Sequence, residues 1–127
     1  MKACPLVQKQ FHQLVNMKPA EIRAWAKDPR SKCASFPETR ERLTKPQRYA
    51  GVLMRSLADL KALPTGKWED RDCVYAQRVI SFNTRHLGQM KRFGCTPRET
   101  VALRNWGHMP KCPMPPFGCS VRPPKRG

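Results

Sequence analysis

The chain predicts an all-α fold, a small bundle of about five helices continued by an extended Pro-rich C-terminal arm. Three observations carry that expectation. Apolar residues recur three and four apart through most of the sequence, proline and glycine fall where such segments would start and stop, and the composition changes abruptly past His108. With 127 residues, the chain suits one domain with a modest core.

Pro5 fits a first helical turn, and behind it Leu6, Val7, Phe11, Leu14 and Val15 repeat at helical spacing up to Asn16, a stop or a cap for the next element. From Pro19 to about Lys27, Ile22 and Trp25 lie three apart, and Glu21 occupies the first turn, where a carboxylate complements the exposed N–H groups. Asp28-Pro29 ends that helix. A shorter segment begins near Ser35 or Phe36, takes Pro37 in its first turn, runs through the charged stretch Glu38 to Arg42 and breaks near Thr44. Thr44 then predicts the cap of a longer helix, with Tyr49, Val52, Leu53, Leu57, Leu60 and Leu63 as its apolar stripe and Pro64-Thr65-Gly66 as its end.

From Glu69 to Leu87 the same spacing puts Tyr75, Ala76, Val79, Ile80, Phe82, Asn83, His86 and Leu87 on one broad face, leaves Arg71, Arg78 and Arg85 largely off it, and predicts a stop at Gly88. The last helix has the clearest start. Thr96 as cap, Pro97 at the first position and Glu99 three after the cap form a capping box, followed by Val101, Ala102, Leu103 and Trp106, with Gly107 as a left-handed stop.

Residues 1–109 therefore read as a helical domain and residues 110–127 as a Pro-rich basic arm. Pro110, Pro113, Pro115, Pro116, Pro123 and Pro124 are six of the chain's 13 prolines, and proline removes donors and clashes inside a helical turn, so this segment predicts an extended path.

A formal charge of +16, from 25 Lys and Arg against 9 Asp and Glu, constrains function most. It exceeds the roughly 2–8 charges that solubility asks of a small domain, and it attracts polyanions strongly. The charge is uneven along the chain. From Lys91 onward, Lys91, Arg92, Arg98, Arg104, Lys111, Arg122, Lys125 and Arg126 face a single acid, Glu99. Arg78, Arg85, Lys91, Arg92, Arg98, Arg104, Arg122, Lys125 and Arg126 are the candidate nucleic-acid-binding residues, able to line one side of the molecule. They form no recognisable reading helix, so contact with backbone phosphate, tolerant of sequence, is expected.

Three segments carry a resemblance: Phe11 to Trp25, Asp72 to Leu87, and Leu103 to His108. Together they resemble a small family of uncharacterised bacterial and fungal proteins marked by NMxPxE(L/I)xxW and NWGH elements and often labelled DNA-binding. The resemblance spans roughly residues 11 to 110 and implies a helical fold and a nucleic-acid partner. Lys18 stands where the family usually has a Thr cap, the stretch from Tyr49 to Lys67 fits loosely, and the cysteines and the Pro-rich arm are additions.

Other chemistries were weighed on the same residues. His108, Cys112 and Cys119, with Cys95 or His86, offer zinc-type ligands, but their spacing matches no common finger, so no metal or other cofactor is expected. Among Cys4, Cys33, Cys73, Cys95, Cys112 and Cys119 there is no CxxC pair; free thiols are the default, and a Cys112–Cys119 disulfide is the alternative. His12, His86 and His108 stand far apart with nothing local to activate a thiol, so an enzyme is not expected. His86 reads as a core residue bonded to a carbonyl, Trp106-Gly107-His108 as a packed helix end, and Trp25, Trp68 and Trp106 as core anchors with bonded indole N–H groups.

No signal-peptide or membrane-spanning run is present, which predicts cytoplasmic or nuclear synthesis without a membrane partner. The expected function is non-enzymatic binding of nucleic acid, DNA first, with little sequence preference and no small-molecule substrate. The alternative is a minor structural component of a large assembly, such as the inner shell of a DNA-virus capsid or a ribosome-like particle, in which acidic protein subunits are the partners and the arm stitches them together. The cysteine count favours a virion released into an oxidising medium.

Overall fold

The computed structural model describes residues 4–33 and 43–112, and it is mostly helical. Helices α1 (Pro5–Leu14), α2 (Pro19–Lys27), α3 (Leu57–Ala62), α4 (Asp70–Phe93) and α5 (Pro97–Asn105) share one core, with 3-10 turns at Pro29–Cys33 and Thr65–Lys67. A two-stranded antiparallel hairpin, β1 (Gln47–Tyr49) and β2 (Val52–Met54), precedes α3. No described helix is long and apolar enough to cross a membrane.

The 24-residue α4, about 36 Å long at 1.5 Å per residue, is the spine of the fold. Its Tyr75, Ala76 and Val79 belong to one buried core with Phe11 of α1, Val15 just after it, Ile22 and Trp25 of α2, Leu57 and Leu60 of α3 and Val101 of α5. Each large side chain in that set contributes roughly 1.5–3 kcal/mol by leaving water. The predicted face of α4 holds, including its polar member: Asn83 is fully buried and donates from Nδ2 to the Trp106 carbonyl at 3.1 Å. In α1 the face is narrower than expected. Phe11 and Val15 are buried, whereas Leu6 is 77% exposed and Gln8 is buried in its stead, donating to the Thr65 carbonyl at 3.3 Å.

The long helix expected from Thr44 to Leu63 does not form. Tyr49 pairs with Val52 across a two-residue loop, Ala50-Gly51, whose φ angles of +53° and +81° are both positive, the signature of a type I′ hairpin turn. Helix begins again only at Ser56, whose Oγ accepts the Asp59 N–H at 3.1 Å. The segment expected from Ser35 to Arg42 lies outside the described residues.

Gly88 is not a stop either, because α4 continues for five more residues and ends at Gly94, with φ +85°. A glycine inside a helix costs only about 1 kcal/mol, and an apolar face sustained on both sides of it outweighs that. The thiol expectation is overturned too. Cys4 is joined to Cys73 and Cys95 to Cys112, so the Cys112–Cys119 alternative fails and the first residues of the predicted arm, Pro110 to Cys112, are pinned to the body. The rest of the arm, from Pro113, lies outside the described residues.

The C-terminus of α5 closes as predicted, in a complete Schellman motif. Gly107 takes φ +85°, its N–H donates to the Arg104 carbonyl at 3.0 Å, and the His108 N–H reaches the Leu103 carbonyl at 2.9 Å. That turn docks on the junction between α1 and α2. Met17 N–H donates to the Gly107 carbonyl at 3.2 Å, His108 donates from Nδ1 to the Leu14 carbonyl at 2.7 Å, and the Asn16 amide pairs with both backbone groups of Met109 at 2.7 and 3.2 Å. Behind it, the Trp25 indole donates to Asn105 Oδ1 at 2.8 Å, and Asn105 donates to the Ser31 carbonyl at 3.0 Å. Trp25 thus keeps its expected bond. The buried indole N–H groups of Trp68 and Trp106 have no partner among the described residues, and Trp106 instead stacks on Phe82 at 4.3 Å.

Two glycines should respond in opposite directions. A Cβ on Gly107 would meet Val15 Cγ1 at 2.8 Å in a left-handed backbone, so Gly107→Ala is expected to cost about 1–3 kcal/mol in urea unfolding. Gly88 has open space around it, and Gly88→Ala should stabilise by about 0.5–1 kcal/mol in the same assay. Loop closure assigns roughly 3 kcal/mol to the Cys95–Cys112 link, 17 residues apart, and roughly 4 to Cys4–Cys73, 69 apart. A Cys4→Ser/Cys73→Ser variant should therefore melt below Cys95→Ser/Cys112→Ser, and both below the oxidised parent.

Candidate nucleic-acid interface

Helix α4 is electrically polarised along its length. Its cap and first turn hold Glu69, Asp70 and Asp72, and from Cys73 to Phe93 it carries Arg78, Arg85, Lys91 and Arg92 without one carboxylate. Acid at the N-terminus and base at the C-terminus both suit the helix dipole, which favours this arrangement independently of any ligand. Arg71, Arg78, Arg85 and Arg92 fall at successive seven-residue steps. On a continuous helix that spacing aligns them in one ridge with about 10.5 Å of rise per step.

The two ends of the ridge differ. At the acidic end Arg71 bonds Glu69 at 3.3 Å and the Leu53 carbonyl at 2.8 Å, and Arg55 bridges Asp72 at 2.9 Å and Glu69 at 3.3 Å. Arg78 is half-buried. Past it, Arg85, Lys91 and Arg92 are exposed, and exposed Arg98 follows the short turn Gly94–Thr96 at the start of α5. Arg92 lies 5.2 Å from the ring of Phe93, itself 68% exposed. Glu99, the acid nearest this end in sequence, is turned inward to accept from His86 Nδ1 at 2.6 Å. His86 is therefore paired with a carboxylate rather than with the carbonyl expected. The Glu99 N–H bonds Thr96 Oγ1 at 3.1 Å, so the cap forms while the Glu99 side chain serves the interhelical pair.

Most other described carboxylates are also engaged away from this end. Asp59 pairs with Arg23 at 3.1 Å, Asp28 with Arg30 at 2.6 Å, and Glu21 accepts the Lys18 N–H at 2.7 Å, which caps α2 although Lys18 has no capping side chain of its own. Arg104 departs from the predicted group. Six residues after Arg98, it points about 120° away round α5 and lies 5.4 Å from the ring of Trp25, over α2. Arg122, Lys125 and Arg126 lie outside the described residues. The ridge therefore holds Arg85 and Arg92, with Arg78 behind them; exposed Lys91 lies about 100° round α4 from Arg92, exposed Arg98 stands at the start of α5, and Arg104 points elsewhere.

The groups considered for metal or nucleophilic chemistry have other commitments. Cys73, Cys95 and Cys112 are in disulfides, and the imidazoles of His86 and His108 are bonded to Glu99 and to the Leu14 carbonyl. His12 accepts from Lys61 Nζ at 3.2 Å through Nδ1, between the rings of Phe11 and Trp68. No family model, no curated protein and no solved structure matches the chain.

Burial first, and the Lys61 ammonium second, hold the His12 imidazole below its ordinary pKa. The unfolded chain then binds the proton at a higher pH than the folded one. The His12 contribution is complete above about pH 6.5 and is lost as the pH falls below it. Thermal melts between pH 7.5 and 5 should show this loss in the parent and a shallower one in His12→Gln.

Proposed function

We propose that the protein binds nucleic acid through its backbone phosphates, with little sequence preference and without an enzymatic role. One observation carries this reading: the C-terminal half of α4 and the start of α5 present Arg85, Lys91, Arg92 and Arg98 on an acid-poor end, while the nearest acid, Glu99, is bonded inward to His86. Arginine forks suit phosphate oxygens, which they engage with two parallel N–H groups. Phosphates on one strand lie closer together than the steps of the ridge, so a straight helix meets alternate phosphates, or phosphates of two strands, more readily than base edges. Duplex DNA is the first polymer to test, and a low sequence preference is expected because the described residues form no recognisable reading helix.

The second reading, a minor structural subunit of a large particle, is favoured by a different observation. Two disulfides are at home in an oxidising medium, where a released particle would reside. In that role the same basic end would sit against acidic protein neighbours.

Fluorescence anisotropy with a labelled duplex should give a log affinity that falls linearly with log salt, and Arg85→Ala/Arg92→Ala should lower that slope by about two, one per lost phosphate contact. Affinity that stays flat from low to physiological salt would overturn the reading. A sizing column run with and without DNA separates the alternative, which expects no co-migration with the duplex.

A further inference from the structure

The side of α5 opposite the ridge holds a second basic feature of a different kind. An open cavity of about 250 Å³ lies between α2, the Pro29–Cys33 turn and the end of α5, with Met17, Ala24 and Met109 among its apolar walls. Arg104 and Arg30 line it, with their guanidinium carbons 5.4 and 5.8 Å from the ring centre of buried Trp25. These two cations are not equivalent. Arg30 is saturated by Asp28, whose carboxylate takes its Nε at 3.0 Å, its terminal nitrogen at 2.6 Å and its backbone N–H at 2.9 Å. Glu21, the other acid on the rim, accepts the Lys18 N–H and keeps its charge, so the rim carries two carboxylates beside its two cations. Arg104 has no ion pair among the described residues, and its Nε is buried without a hydrogen-bond partner.

A half-buried guanidinium with an orphaned donor is costly unless something pairs with it. The Trp25 ring fixes the plane of the group and offsets part of that cost through its π face, but a ring accepts no N–H in the guanidinium plane. The buried Nε–H is closed to the cavity, so what the cavity can meet is the terminal N–H groups, which have no partner among the described residues and which a tetrahedral oxyanion meets better than water does. The cavity is large enough for a phosphate group and its immediate substituent, and its apolar walls weaken competition from solvent.

We propose that Arg104 is the anchor of an oxyanion-binding site in this cavity, selective for phosphate-type groups and separate from the ridge on α4. Arg104 supplies the fork, Trp25 holds it in plane, and Arg30, neutralised by Asp28, closes the far wall. The phosphate can be free or belong to a nucleic-acid backbone, since both present the same oxygens.

The test follows the Arg104 Nε–H and the Trp25 indole N–H by nitrogen–proton NMR during titration with inorganic phosphate, with ionic strength held constant by sodium chloride. The expected result is a saturating shift at both groups and only a shallow, unsaturating drift at Arg98 Nε–H. Arg104→Lys keeps the charge but loses the fork and should weaken the saturation seen at Trp25 by about tenfold or more, leaving the rest of the spectrum in place. An Arg104 response no different from that of Arg98, or a Trp25 response that survives Arg104→Lys, would overturn the proposal. A second titration with a short DNA duplex assigns the source. Saturation at Arg104 by DNA identifies backbone phosphate, and saturation by inorganic phosphate alone identifies a small anion. Because Lys keeps the charge and the ridge is untouched, Arg104→Lys should leave the salt slope for DNA unchanged whichever source is found, which separates failure here from failure of the DNA-binding reading.

Discussion

The fold depends on the closure of the α5 terminus over the α1–α2 junction. At that point Gly107 brings its backbone against the side chains of Val15 and Leu57, at a distance that tolerates no Cβ. The approach lets Met17, Asn16 and His108 exchange backbone and side-chain bonds with the opposite segment, and it leaves the Trp25 indole within reach of Asn105. The Trp25–Asn105 bond is buried and the His108–Leu14 bond half-buried, and these would be expensive to leave unpaired, whereas the Asn16 pair is exposed. The junction therefore acts as one unit, in which the loss of spacing at one glycine unsettles several bonds at once.

This closure also gives a physical account of the two sequence elements that suggested a family. Asn16, Met17, Glu21, Ile22 and Trp25 belong to one, and Asn105 to His108 belong to the other, and the fold brings the two together. Asn16 holds the Met109 backbone, Trp25 bonds Asn105, and Ile22 and Met17 are buried in the core. Residues arranged this way secure architecture. They speak to the fold and not to a ligand.

What could be read from the sequence was whatever depends on local spacing. The face of α4, the Thr96 cap and the Gly107 stop all follow from neighbours within a few residues, and so they were legible. The hairpin was not, because Val52, Leu53 and Leu57 also satisfy a helical period and because its turn uses Ala50 in a left-handed conformation where Asn or Gly is the usual signal. The partners of Cys4 and Cys95 could not be read at all, since spacing does not fix connectivity. The candidate site divides along the same line. Arg78, Arg85, Lys91 and Arg92 stood out by charge, but a helix stopped at Gly88 cuts Arg92 off from the ridge, and only the continuation to Phe93 puts it in line with Arg85. Arg104 was grouped with them on charge alone, because Trp25, which claims it, is 79 positions earlier in the chain.

The Cys4–Cys73 link has a consequence for the order of events during synthesis. Cys4 leaves a ribosome 69 positions before its partner, and the Gly107 turn that seats the first two helices emerges later still. Helices α1 and α2 must then wait, tethered to the nascent chain, for partners that lie far along the sequence. Such a chain gains little from folding vectorially and acquires its native form late, in a single concerted step.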